Sequence, residues 1–220
     1  MKNNQSSYPD SRIEVRGLGA KFYDTILNIS SLGTYSIFIR KAINKMQIQP
    51  RDKILDLGAG SGRNALLMNR HLTEEGEIIA LEISEEMIKQ FRKKTRQHEH
   101  IKVFNKRIDE PLDYDEKFDK VFISFVLHGF PHAVRQKIIK NIFNALKPRG
   151  SLFLLDYNEF NLDRMPLIFK YPFKIIECIY AFDFIKKDWK KILEENGFKN
   201  FTEDLFFLDY IRLLSAKKWS

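Results

Sequence analysis

Short apolar runs alternate with longer amphipathic stretches along residues 51–157. The apolar runs predict strands at 53–57, 77–82, 101–105, 118–125 and 150–156, and the amphipathic stretches predict helices at 61–71, 84–97 and 132–146. Strands that alternate with helices are joined by crossover connections, which make neighbouring strands parallel. This part of the chain therefore predicts an α/β fold with a mainly parallel sheet and helices on both of its faces.

The regions before and after this core have a different pattern of apolar and polar residues. Helical spacing at about 21–30 and 36–47 precedes the core, and we expect residues 1–50 to form an N-terminal helical lid. Residues 158–186 follow the core and are rich in Phe, Tyr and Ile, with no clean strand or helix period. We expect this stretch to be an inserted lid.

The last part of the chain, residues 187–220, returns to the regular pattern. It predicts a helix at 187–196, followed by strands near 199–204 and 206–216. These two strands bring the sheet to seven. The whole chain, 1–220, is therefore expected to be one domain.

Composition narrows the class of protein. With 220 residues, 44% of them hydrophobic, the chain is long enough for one domain with a full core. Its single cysteine, Cys178, excludes an internal disulfide and favours a reducing, cytoplasmic location. The polar N-terminal stretch does not have the pattern of a secretory signal, and no run of about 18 apolar residues predicts a membrane span. The net charge of +8 allows an acidic partner but does not require one.

The stretch LDLGAGSG, residues 55–62, places three glycines at alternate positions where the first core strand meets a helix. Glycine lets a backbone take a positive φ or lie against a ligand, and open α/β sheets bind ligands at the carboxyl ends of their strands. The spacing differs from the dinucleotide fingerprint, whose sixth position is Arg63 here, and no Gly-Lys-Ser/Thr follows as in a phosphate-binding loop. A tight turn without a ligand is the alternative interpretation.

Acidic residues follow the next two strands. Glu82 ends the apolar strand EIIALE, one crossover after the glycine loop. A carboxylate at this position can accept hydrogen bonds from both hydroxyls of a ribose. Asp109 comes shortly after strand 101–105, where its carboxylate can accept a hydrogen bond from the amino group of an adenine. A surface acid for Glu82 and an acidic loop around Asp109 are the simpler interpretations.

The order of these motifs resembles that of class I S-adenosylmethionine-dependent methyltransferases. LDLGAGSG, ALEISEEM, RIDEPL, FDKVFISFVL and ALKPRGSLFLLDY follow one another within roughly residues 20–216. AKFYDTILNISSLGTY, ahead of the glycine loop, and ISFVLHG are similar to segments of the UbiE-type ubiquinone/menaquinone biosynthesis C-methyltransferases. This chain has Arg63 where that group usually has aspartate, and His128–Gly129 in place of its Arg-Asn pair.

The resemblance implies a Rossmann-like, doubly wound, seven-stranded sheet with residues 51–157 as the cofactor-binding core. It implies S-adenosylmethionine as the cofactor, S-adenosylhomocysteine as the product, and no metal. The residues that it assigns to the cofactor are Tyr23, Asp56, Gly58, Ala59, Gly60, Ser61, Glu82, Ile83, Met87, Arg107, Ile108, Asp109 and Ser124. Of these, residues 107–109 are expected to bracket the edge of the adenine.

Other members of this set receive separate roles from the resemblance. The loop Gly58–Ser61 is expected to face the methionine part of the cofactor, and Asp56 to hold its amino group. Glu82 is expected to bind the ribose, and Ile83 to pack on the adenine. Tyr23 is expected to cover the sulfonium, since a cation is attracted to an aromatic face.

Transfer of a methyl group to a carbon or a phenol also needs a base. The candidate catalytic residues are His128, in FVLHGFPH at the end of the fourth strand, and Tyr157, at the end of the fifth. Histidine suits the task because it titrates near neutral pH. Asp156 and His132 are neighbouring alternatives, although a helix start without function is the favoured explanation of His132.

The sequence favours a small, apolar or aromatic acceptor, methylated by direct transfer. Many of the 19 phenylalanines fall within 160–184 and 201–207, which predicts an apolar pocket beneath a lid formed by Tyr23 and 160–184. A homodimer interface is the alternative use of these aromatics. An RNA methyltransferase is a second candidate because FRKKTRQHEHIK is basic, although a solvated helix end explains that run as well. A non-catalytic regulatory module that binds S-adenosylmethionine is the third.

Overall fold

The computed structural model describes residues 34–219. The strands of this part are β1 (Lys53–Leu57), β2 (Glu77–Glu82), β3 (Ile101–Asn105), β4 (Phe118–Ser124), β5 (Leu146–Tyr157), β6 (Phe198–Phe206) and β7 (Ile211–Lys218). Its α-helices are α1 (Thr34–Lys45), α2 (Arg63–Asn69), α3 (Glu85–Thr95), α4 (His132–Ala145), α5 (Leu167–Ile176), α6 (Ile179–Phe184) and α7 (Trp189–Glu195). Within this range every helix is too short or too polar to cross a bilayer. The helix predicted at 21–30 lies outside the described residues.

All seven strands form one sheet in the order β3-β2-β1-β4-β5-β7-β6. The first five strands are parallel, and β7 runs antiparallel to both of its neighbours, β5 and β6. The predicted seven-stranded, mainly parallel sheet is therefore confirmed. Because the strand order reverses between β1 and β4, their carboxyl ends border the crevice where open α/β sheets bind ligands.

The pleat of the strands divides the core between the two faces of the sheet. Ile54 and Phe122 point to one face, where side chains of α1, α2 and α3 cover them. Leu55 and Val121, one position along in each strand, belong to the opposite face, which α4 and α7 cover. Near-continuous apolar strands such as β1 and β4 follow from this double coverage, since both faces of each strand are buried.

Two stretches fold differently from the prediction. Residues 158–186, which show no helix period in the sequence, contain a 3-10 turn at Leu162–Arg164 and the helices α5 and α6. Pro172, which disfavours a helix interior, lies inside α5, and both helices are short, so the sequence pattern did not mark them as helices. The last strand begins at Ile211 rather than at 206, because Phe207–Asp209 have φ values of 51°, 56° and 66° and form the turn after β6.

The fifth strand also begins earlier than predicted. The pattern ends the helix at 146 and begins the strand at 150, whereas the whole run Leu146–Gly150 is the first part of β5. Leu146 pairs with Phe118 of β4, and the register shifts before Ser151 pairs with Lys120. A β-bulge therefore absorbs this segment, and its irregularity hides the strand from a period-2 pattern.

Candidate active site

The loop between β1 and α2 contains three glycines with positive φ: 69° at Gly58, 54° at Gly60 and 82° at Gly62. A Cβ on Gly58 would lie 2.5 Å from a methyl group of Val126, and one on Gly62 would lie 2.7 Å from the Phe91 ring. A Cβ on Gly60 would meet no atom within 4 Å. Gly58 and Gly62 are thus required by packing, whereas Gly60 borders open space.

The carboxylate of Glu82, at the end of β2, fixes this loop. It accepts hydrogen bonds from the backbone N–H groups of Gly60, Ile83 and Ser84, each at 2.9 Å. The backbone N–H groups of Gly58 and Ala59, at the start of the loop, donate to the carbonyl of Leu81 at 2.9 and 3.1 Å. The loop after β1 and the end of β2 therefore form one rigid unit with a carboxylate at its centre.

Asp56, the last residue but one of β1, has a buried carboxylate. Its Oδ2 has no hydrogen-bond partner among the residues that the structure describes. Burial, together with the nearby charge of Glu82, raises the pKa of Asp56 from 3.8 to about 7. A buried, unpaired carboxylate of this kind fits a cationic ligand group, because such a group would supply both the missing donor and the opposite charge.

Other residues assigned to the cofactor lie after β3 and on α3. Arg107 donates to both carboxylate oxygens of Asp109, at 3.1 and 2.9 Å, in a bidentate ion pair. Ile108, between them, is buried, and so is Met87 of α3. This arrangement presents an apolar side chain beside a fixed carboxylate, and its role towards adenine remains a prediction.

Two serines of the predicted set are held by neighbouring side chains. Ser61 is buried, and its hydroxyl accepts a hydrogen bond from Nζ of Lys94 at 2.8 Å. Ser124, at the end of β4, accepts one from the amide of Asn64 at 3.1 Å. The Asn64 bond ties the start of α2 to the end of β4. Tyr23 lies outside the described residues.

The residues predicted to be catalytic come together at the ends of β4 and β5. His128 Nδ1 lies 2.7 Å from Oδ1 of Asp156, and its Nε2 lies 3.4 Å from Oε2 of Glu177. The hydroxyl of Tyr157 donates to the other oxygen of Glu177 at 2.5 Å. His132 does not join this cluster, since its Nε2 lies 3.4 Å from the side-chain nitrogen of Gln136.

The electrostatics of this cluster bear on what each group can do. Burial alone would lower the pKa of His128, but the carboxylates of Asp156 and Glu177 outweigh it and raise that pKa to about 10. Burial and the adjacent Glu177 carboxylate raise the pKa of Tyr157 well above its ordinary value. At neutral pH the imidazole is therefore protonated and donates to both acids, so it has no lone pair with which to accept a proton.

Two residues of this region were missed by the sequence analysis. Glu177 comes at the end of α5, and nothing in the sequence connects it to Tyr157, twenty positions earlier. Arg135 is fully buried in α4 and donates to the carbonyls of Leu127, His128 and Tyr180 and to the carboxylate of Asp183. In the sequence it looks like an ordinary polar position of an amphipathic helix.

The basic run that suggests an RNA acceptor lies at the end of α3. Arg92, Lys93 and Arg96 are exposed. Lys94 is exposed as well, and its Nζ also reaches the glycine loop through its bond to Ser61. The run is thus a solvated helix end with one member that supports the candidate cofactor site.

Comparisons with known proteins agree with these features. Residues 54–150, somewhat less than half of the chain, match the family described as "Methyltransferase domain". The ubiquinone/menaquinone biosynthesis C-methyltransferase UbiE of Proteus mirabilis is 28% identical over 167 residues, which are 73% of this chain and 64% of that protein. The protein of the same name from Wigglesworthia glossinidia brevipalpis is 32% identical over 168 residues, 75% of this chain and 63% of that protein.

A solved structure shows the same fold. A SAM dependent methyltransferase from Aquifex aeolicus aligns with a TM-score of 0.60 at 18% identity, over 82% of this chain and 89% of that chain. The chain spans just under two thirds of the length of the two curated relatives. The resemblance and the fold predicted from the motifs are confirmed.

Proposed function

We propose that this chain, which resembles the class I S-adenosylmethionine-dependent methyltransferases of the UbiE type, is itself an S-adenosylmethionine-dependent methyltransferase. Its acceptor is a small apolar or aromatic molecule, methylated by direct transfer. The observation that carries the proposal is the cradle at the carboxyl ends of β1 and β2. There an open face at Gly60 lies beside the tethered carboxylate of Glu82 and the unpaired, buried carboxylate of Asp56.

These residues fit the cofactor group by group. When bound, S-adenosylmethionine supplies a methyl group on a positively charged sulfur, which is a good leaving group. Asp56 would hold its amino group by an ionic hydrogen bond, and Glu82 would accept a hydrogen bond from one ribose hydroxyl with the lone pair that remains on Oε2 after its three backbone bonds. Gly60 lets the ligand lie against the loop backbone. The protein's further task is to orient the acceptor and exclude water.

The cluster at the ends of β4 and β5 suits the handling of the acceptor. In this proposal the protonated His128 acts through its charge, not as a base: it holds Glu177 beside the hydroxyl of Tyr157. Glu177 then takes up the proton that a carbon or phenol acceptor loses, directly or through Tyr157. A carboxylate can act as this proton acceptor, and the hydrogen bond from the Tyr157 hydroxyl gives the proton a path to it.

The pH dependence of ligand binding tests the role of Asp56. Its pKa of about 7 means that the carboxylate is largely protonated below neutral pH, and only the ionised form attracts an ammonium group. Affinity for S-adenosylhomocysteine should therefore fall by up to about tenfold for each pH unit below 7 and level off above it. Asp56→Asn should bind weakly and lose this dependence in calorimetric titrations.

The control ligand is methylthioadenosine, which has the adenosine and the sulfur but lacks the amino acid part with its ammonium group. Its affinity should change little over the same pH range in the unaltered protein. An equal pH dependence for both ligands would show that Asp56 does not hold the amino group.

The lid remains part of the proposal, and ring contacts at the carboxyl ends of β4 and β5 support it. The Phe173 ring of α5 lies 5.1 Å from that of Tyr157 and 5.8 Å from that of Phe160. On the N-terminal side, the Phe38 ring of α1 lies 6.3 Å from that of Phe125, the residue that follows β4. Both lid segments thus reach the carboxyl ends of the strands, where closure would exclude water.

Hydrogen exchange tests the lid. On addition of S-adenosylhomocysteine we expect new protection at about 20–30 and 160–184, because closure over the ligand buries backbone amides. This protection should not change with protein concentration. Protection that follows protein concentration and ignores the ligand would assign the aromatic residues to a homodimer interface instead.

The activity itself is tested by a panel of acceptors with a labelled methyl donor. Transfer to phenols or quinols supports the proposal, transfer only to RNA favours the alternative, and tight binding without transfer to any acceptor favours a regulatory module. A cytoplasmic location belongs to the same proposal, and the free, buried thiol of Cys178 is consistent with it.

A further inference from the structure

Helix α5 exposes an apolar face. Its one buried side chain is Phe173, which packs against Tyr157 at the carboxyl end of β5. Ile168, Tyr171 and Ile175 are 75%, 60% and 71% exposed. Spacings of three and four residues put these three side chains on one stripe, opposite Phe173. An exposed apolar stripe of this size is uncommon on a protein surface unless it binds something.

The exposed apolar surface extends beyond this stripe. Ile179, at the start of α6, and Leu208, in the turn between β6 and β7, are also mostly exposed. The turn lies beside the candidate site, because Ile211, which follows it, pairs with Tyr157. The Phe169 ring of α5 is 6.3 Å from that of Tyr210 in the same turn. We call the exposed apolar side chains of α5, Ile179 and the 207–208 tip the apolar rim.

Cations border the apolar rim. Lys174, on the flank of α5, is exposed, and so are Lys186 after α6 and Arg164 before α5. Lys170, Lys174 and Lys186 all lower the pKa of Asp163, which places them around one point of the surface. An apolar helix face bordered by lysines is complementary to a layer of anionic headgroups over hydrocarbon.

We propose that the apolar rim docks on the surface of an anionic lipid bilayer, with α5 lying in the plane of the interface. Its ten residues are too few to cross a bilayer. The occupant is lipid because the apolar stripe is a convex helix face with a cationic border, and bulky aliphatic side chains around a tyrosine suit the headgroup boundary.

Docking would also connect the bilayer to the candidate site. The inner side of α5 carries Phe173 against Tyr157, and Glu177, the residue after the helix, accepts a hydrogen bond from the same tyrosine. An apolar acceptor dissolved in the membrane would therefore reach the strand ends along α5 without crossing water. This last step rests on the proposed function, whereas the docking itself does not.

Vesicle co-sedimentation tests the docking. Vesicles of phosphatidylcholine and phosphatidylglycerol in equal amounts should bind the unaltered protein, and phosphatidylcholine alone should bind it less. The triple variant Ile168→Ser, Tyr171→Ser, Ile175→Ser should lose binding by roughly tenfold or more, since these side chains are the ones that insert. Lys174→Gln and Lys186→Gln should each weaken binding to the anionic vesicles by about fivefold.

The matched control is Trp219→Ser. It removes an exposed aromatic side chain that follows β7, at the end of the strands opposite to the apolar rim, and it should not change vesicle binding. A thermal shift with S-adenosylhomocysteine confirms that each variant is folded. If the triple variant is not folded, Ile168→Glu replaces it. Absence of vesicle binding by protein that still binds S-adenosylhomocysteine would overturn the docking and leave the proposed function intact. Undiminished vesicle binding by the triple variant would overturn the docking too. So would light scattering in which the unaltered protein self-associates and the triple variant does not, because this result would assign the apolar rim to a second copy.

Discussion

Gly60→Val is expected to abolish the binding of S-adenosylhomocysteine while the protein stays folded. A Cβ at Gly60 meets no protein atom within 4 Å, so the valine side chain would occupy the open space of the cradle rather than disturb the packing. The backbone there has a φ of 54°, which costs a non-glycine residue about 1–2 kcal/mol. Calorimetry measures the binding, and urea unfolding measures the stability.

Asn200→Val is the matched control for the backbone cost. Asn200 is exposed on β6, and its φ is also 54°, so valine there meets the same conformational penalty away from the cradle. We expect a similar loss of stability with unchanged binding. If Gly60→Val binds the ligand as well as the unaltered protein does, the cradle is not the cofactor site.

The second large effect concerns Arg135, which would anchor the proposed lid. Arg135→Met should reduce the free energy of unfolding by about 2–4 kcal/mol, because it leaves buried carbonyl groups without their donor. Arg135 joins the turn at Leu127 and His128 to Tyr180 and Asp183 of α6. Its loss should therefore also speed hydrogen exchange in α6. Chemical unfolding and exchange mass spectrometry measure the two effects.

Lys140→Met is the control, since Lys140 lies on the same helix but is exposed. It should change the stability by less than about 0.5 kcal/mol and leave exchange in α6 unaltered. An Arg135→Met protein as stable as the Lys140 variant would mean that Arg135 does not anchor the 158–186 segment.

Local patterns were sufficient to predict the first five strands. Four of them, β1–β4, are short, largely apolar runs between polar turns, and burial on both faces strengthens the signal in β1 and β4, whereas the fifth shows such a run only from residue 150 onward. The glycine loop was predictable for a related reason. Its positive φ values leave glycine as the residue that fits, and the sequence displays that requirement directly at Gly58, Gly60 and Gly62.

The parts that the sequence did not reveal depend on contacts between distant residues. Leu208 and its neighbours hold positive φ without glycine, so the turn after β6 has no signature and the strand boundary was misplaced. Arg135 is buried because four acceptors from two segments converge on it, and a helix pattern cannot show that. Glu177 meets Tyr157 only after α5 folds back over the sheet.

The central claim is that the cradle between β1 and β2 binds S-adenosylmethionine. Calorimetric titration of the protein with S-adenosylhomocysteine, and separately with NAD, tests it most directly. The account predicts stoichiometric binding of S-adenosylhomocysteine, weakened at low pH, and no binding of NAD. Binding of NAD without binding of S-adenosylhomocysteine would contradict it.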